Sequence, residues 1–152
     1  MDLLNLRSLA GEMRAAIDSL PREYLPFSMK DFPAGACGDT SILLGAYLVD
    51  CGYRGFEYIC GERGSQEDGN WTTHAWLARG ELVIDITADQ FPDAPAAVIV
   101  ESPSPWHRQF DLDPATPSDF REYRGPFMHE LHALYSRVLA VLRAKAPYPS
   151  DL

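Results

Sequence analysis

The chain has 152 residues, 46% of them hydrophobic, and a formal net charge of −9. That length suits one domain with one real core, and two smaller units would each need a metal or disulfides to stand. The acidic balance argues against nucleic acid or an anionic membrane as a general partner.

The first 24 residues scatter Asp2, Arg7, Glu12, Arg14 and Asp18 among apolar side chains. Neither a signal peptide nor a bilayer span is expected there or later in the chain. The cysteines, Cys37, Cys51 and Cys60, are odd in number and show no Cys-x-x-Cys spacing. A secreted disulfide framework is therefore not expected; a reducing cytoplasm is, with one reactive thiol and two packed in the core.

In chain order, Leu3, Leu6, Leu9, Met13, Ile17 and Leu20 recur at helical spacing, predicting an amphipathic helix over residues 3–19 that stops at Pro21. Residues 22–36 read as a loop. Ile42, Leu43, Leu44, Ala46, Tyr47, Leu48 and Val49 then leave almost no polar face, so residues 40–50 should form a buried helix. Asp39, Thr40 or Ser41 can cap its start, and Gly52 suits its end.

Residues 56–60 read as a strand, 61–70 as a polar loop, and 71–78 and 81–87 as strands joined at Arg79-Gly80. A fourth strand is expected over 97–101. Prolines interrupt residues 102–126, predicting a wrapping loop with one short helix after Thr116. Phe127, Leu131, Leu134, Tyr135, Val138 and Leu142 mark a last amphipathic helix over 127–145. Helices flanking a run of antiparallel strands form a single α+β domain spanning 1–152.

Three residues in this frame carry chemistry: Cys37 at the head of the buried helix, His74 on one hairpin strand and Asp85 on the next. A two-residue loop at Arg79-Gly80 sets His74 directly opposite Asp85, with Cβ atoms about 4.5–5.5 Å apart. The carboxylate then fixes the imidazole tautomer and leaves the other ring nitrogen for a thiol. Alternation puts His74, Trp76, Ala78, Val83 and Asp85 on one face, and Ala75, Leu77, Leu82, Ile84 and Ile86 on the other. The buried helix is expected to cover the first face. A helix N-terminus favours negative charge on the sulfur, and the Cys37 N–H is a candidate oxyanion donor.

Gly35-x-Cys37-x-Asp39-x-Ser41, His74-Ala75-Trp76-Leu77 and Asp85-x-Thr87 resemble the core of the transglutaminase-like proteins, relatives of the papain-like thiol enzymes. The resemblance covers residues 35–87; Ile86 stands where members often have proline. It implies a papain/transglutaminase-like core, Cys37 as nucleophile, His74 as general base and acid, and Asp85 as the orienting residue. The expected reaction is attack on an amide or peptide carbonyl through a thioester, which water resolves in a peptidase or amidase. An amine acceptor gives a transferase, and a protein deamidase is a further alternative. A non-catalytic binding module that keeps the fold is the competing class. A merely acidic partner-neutralising protein rests on charge alone.

Gln66, Asn70 and Trp71 precede the histidine strand and Gln90 follows the aspartate, so each is a candidate second oxyanion donor or substrate contact. For Trp76 wall packing is the better reading, and for Gln90 a loop contact. His129-Glu130-Leu131-His132 has its histidines three apart rather than the four a zinc helix needs, so a solvated face is expected. Asp111-x-Asp113 lacks the other ligands of a calcium loop. Neither metal nor cofactor is expected, and the implied partner is a peptide or protein substrate.

Overall fold

The computed structural model describes residues 2–145. Helix α1 (Leu3–Ser19) is capped by Asp2, whose side chain accepts from the Asn5 N–H. Helix α2 (Cys37–Asp50) begins at the cysteine itself, with Ala36 at its N-cap and no side-chain cap, so the expected capping by Asp39, Thr40 or Ser41 is not made. Asp39 instead accepts from the Ser28 hydroxyl. Helix α3 (Phe127–Lys145) buries Leu131, Leu134, Tyr135 and Val138, while Phe127, placed on the apolar stripe by its spacing, is exposed.

The strands are β1 (Glu57–Arg63), β2 (Thr72–Arg79), β3 (Leu82–Asp85), β4 (Ile99–Glu101), β5 (Asp111–Leu112) and β6 (Thr116–Pro117). They form one six-stranded sheet in the order β4-β3-β2-β1-β5, with β6 also pairing with β1, every pair antiparallel. The α+β class is thus observed. Strand β1 runs on to Arg63 where a loop is predicted, because residues 61–63 pair with β2 on one side and Gly61 and Glu62 pair with the short strand β5, inside the proline-rich stretch, on the other. A short 3₁₀ turn over Phe120–Glu122 supplies the helix expected after Thr116.

The β2–β3 register differs from the expectation. Arg79 pairs with Leu82, so the two-residue loop is Gly80-Glu81 rather than Arg79-Gly80. Gly80 has φ +59° at the first central position, where a type II′ loop places glycine and where a side chain would be strained. The strands slide by two residues relative to the predicted pairing. A slide of two preserves the faces, whereas one residue would exchange them.

Leu77, Leu82, Ile84, Ile86 and Val100 join the main core with residues of α1, α2 and α3. Helix α2 therefore packs on the Leu77 face, not over His74 and Trp76 as expected. That second face carries its own cluster of Trp76, Val83, Ala88, Ile99, Trp106 and Phe110. Two aromatic rings from the 102–110 segment do the work predicted for the helix. Among the described residues no helix is long and apolar enough to cross a membrane.

Candidate active site

Asp85 is the centre of the site. It ends β3 with its side chain buried, and a bare carboxylate there would carry a large desolvation cost. Donors on both oxygens offset that cost. His74 Nε2 lies 2.6 Å and His107 Nε2 2.7 Å from Oδ2, while the Thr87 N–H donates to Oδ1 at 2.9 Å. A carboxylate accepts only, so both histidines carry a proton on Nε2. Burial alone would raise the Asp85 carboxyl, but the hydrogen bonds from His107 and His74 outweigh it and hold the group down at about 2.

His74 is fully buried on β2. Phe91, Trp76, Trp106 and Phe110 surround its ring, at centroid separations of 4.9, 5.7, 5.8 and 6.0 Å. Burial works against the imidazolium; the hydrogen bond with Asp85 and the neighbouring Cys37 overcome it and push the ring up to about 9. Cys37 is half-buried. With Nε2 committed to Asp85, Nδ1 is the nitrogen left for the sulfur.

The backbone at the sulfur is also available. Thr40 is the first α2 residue whose N–H bonds into the helix, to Ala36 O at 3.0 Å. Among the described residues, the N–H groups of Cys37, Gly38 and Asp39 have no protein acceptor. Unpaired amides at a helix start favour an anion.

Gln90, expected to make only a loop contact, reaches the site. Its Nε2 lies 3.4 Å from His74 Nδ1 and donates to Thr87 O at 3.1 Å, and its Oε1 accepts from the Gly35 N–H at 3.4 Å. Trp76 packs as a wall. The other candidates are not brought in. Asn70 Oδ1 accepts from Ser65 N–H at 2.8 Å within the loop, Trp71 Nε1 donates to Glu62 at 3.2 Å, and Gln66 is exposed on that loop. All three spend themselves on the β1–β2 connection because β1 extends past the predicted end of its strand.

His107, with Ser104 behind it, is the residue missed. Ser104 Oγ lies 2.6 Å from His107 Nδ1, and both side chains are buried. Nothing local in Ser104-Pro105-Trp106-His107 announces a partner for Asp85; a buried carboxylate with only one predicted donor was the one available signal.

Cys51 is exposed and Cys60 half-buried, so neither is the sealed core residue expected. Partial burial is the largest cause pushing both thiols up. His129, Glu130 and His132 are exposed on α3.

Among the described residues, His74, Asp85 and His107 place one donor atom each within 4.8 Å of one another, a buried set that sequence spacing does not suggest. Their contacts of 2.6 and 2.7 Å to a single oxygen are hydrogen-bond lengths. Ligands on a tetrahedral zinc, with bonds of roughly 2.0 Å, stand about 3.3 Å apart. The arrangement as it stands is a proton network.

No family model, curated protein or solved structure matches this chain.

Proposed function

We propose that this protein is a thiol acyl enzyme, a cysteine peptidase or amidase, with a papain/transglutaminase-like core. The observation that carries the reading is the 2.6 Å contact between His74 Nε2 and Asp85 Oδ2, which leaves Nδ1 as the ring nitrogen available to a thiol. The resemblance of residues 35–87 to transglutaminase-like proteins supports it.

The Cys37 thiol gives its proton to His74 Nδ1, and the thiolate attacks the carbonyl carbon of an amide. The carbonyl electron pair moves to oxygen, where the free N–H of Cys37 receives it. His74 Nδ1–H then protonates the leaving amine as the C–N bond breaks, leaving a thioester on Cys37. Water adds to that thioester with its proton passing to His74, and the thiolate departs. Asp85 holds the ring in place and offsets its charge throughout. The same thioester resolved by an amine makes the site a transferase, and attack on a glutamine side chain makes it a deamidase.

Iodoacetamide at pH 6 tests the reading. Cys37 should be alkylated at least about tenfold faster than Cys51 or Cys60, since the thiolate is the nucleophile, and His74→Ala should abolish that preference. Equal labelling of Cys37 and the exposed Cys51 would favour a non-catalytic module.

A further inference from the structure

We infer that the cavity beside His107 is a binding site for a free α-amino acid with an aromatic side chain. It lies apart from the thiol: His107 lines it, but Cys37, His74 and Asp85 do not.

The cavity encloses about 360 Å³ between the sheet and the 103–112 segment. That is the lower end of the roughly 300–1,000 Å³ that small-molecule sites occupy. Ile59 pairs with Trp76 and Ala78 with Val83, so these four side chains share one face of the sheet, and all four line the cavity. His107 and Phe110 close it from the other side. The Trp76 ring lies 4.7 Å from His107 and 5.3 Å from Phe110, edge to face with each. All three rings are buried among their neighbours, so the wall is held in place before any ligand arrives. An entering aromatic ring extends this edge-to-face packing, whereas an aliphatic side chain gains only the buried area.

The rim supplies the charge. Arg108 Nη2 donates to Glu81 Oε1 at 3.1 Å, a single contact between side chains that are both more than half exposed. An exposed pair of this kind contributes little, so each partner can turn to a ligand at small cost. An α-amino acid carries an ammonium, a carboxylate and its side chain on one carbon. With the side chain in the cavity, the carboxylate meets Arg108, whose planar fork can take both oxygens, and the ammonium meets Glu81. Two charged contacts then replace one. A ligand with a single charge breaks the Arg108–Glu81 pair and restores only half of it.

NMR of the ¹⁵N-labelled full chain, titrated with L-phenylalanine, tests the site. Saturable shifts should cluster at the Trp76 indole and the amides of Val83, Arg108 and Phe110, with a Kd of about 1 mM or below. Phenethylamine, which lacks the carboxylate, and 3-phenylpropionate, which lacks the ammonium, should each bind at least about tenfold more weakly. Arg108→Gln and Glu81→Gln, both at exposed positions, should weaken phenylalanine by a similar factor. Ala78→Leu fills the cavity and should abolish the shifts while the spectrum keeps its dispersion. Absent or unsaturable shifts, or shifts scattered over the surface, would overturn the inference. So would 3-phenylpropionate or L-leucine binding as tightly as L-phenylalanine, or wild-type affinity in the charge variants. Cys37 lines no part of the cavity, so these outcomes leave the thiol reading untouched.

Discussion

His74 and Asp85 meet as diagonal neighbours across the β2–β3 hairpin, with 2.6 Å between Nε2 and Oδ2. Leu77 pairs with Ile84, so continuing that register sets Asp85 opposite Trp76 and His74 opposite Thr87. Diagonal positions lie about 7–8 Å apart between backbones, within reach of a histidine and an aspartate leaning together. The space directly across from His74 is left to the turn at Thr87, whose N–H secures the other carboxylate oxygen.

Replacing Asp85 by Asn removes the charge that steadies His74 while keeping the shape. Cys37 alkylation at pH 6 should slow by on the order of 100-fold, within the usual range for disabling an acid–base pair. The thermal midpoint should fall too, because the second donor on Oδ2 loses its anionic acceptor. Alkylation at the wild-type rate would separate the thiol from the dyad.

Stability should have two pH limbs. His74 lies at about 9, above its ordinary 6.5, so folding favours its protonated form. That contribution is complete below about pH 6.5 and disappears as pH rises toward about 9. Asp85 lies at about 2, below its ordinary 3.8, so its contribution is present above about pH 4 and disappears as pH falls toward 2. Thermal midpoints measured across pH should plateau between these limbs. Cys37 helps raise His74, so Cys37→Ser should start the alkaline fall at lower pH. An alkaline limb unmoved by that substitution would place the thiol out of reach of the ring.

His107→Ala strips Asp85 of one donor and leaves the buried Ser104 hydroxyl without its hydrogen-bond partner. Each stranded polar group costs about 1–3 kcal/mol. Urea denaturation should show a loss of that order or twice it, and His107→Gln, which can both donate and accept, should recover part. A loss no larger than that of an exposed substitution would show that Asp85 does not depend on His107.

Gly45 in α2 meets the backbone of Ser118, and a Cβ added there would sit 1.8 Å from the Ser118 carbonyl oxygen. Backbone cannot swing aside as a side chain can, so Gly45→Ala should cost at least the ~1–3 kcal/mol of an overpacked core. Elsewhere in a helix the same change gains up to about 1 kcal/mol in propensity. A stabilised variant in urea titration would mean that α2 and the 116–120 segment are not in contact.

Local pattern was enough for the helices, for the strand faces and for setting His74 and Asp85 on one face, where they meet. Helical spacing over residues 3–19 and 127–145, and alternation through residues 74–86, involve neighbours within a turn or a pleat. Such signals survive without knowledge of the fold. The one-residue error in the hairpin loop left the faces intact because strand periodicity is two. What tertiary structure decided lies across long chain separations. Helix α2 went to the opposite face because Trp106 and Phe110 cover Trp76 and Val83. His107 reached Asp85 because that buried carboxylate needed more donors than its own strand pair supplies. Gln90 reached Gly35 because a 3₁₀ turn over Ala88–Gln90 carries it back toward the cysteine loop. Desolvation, which no short stretch of sequence expresses, selected the aromatic cover and the His107 partner.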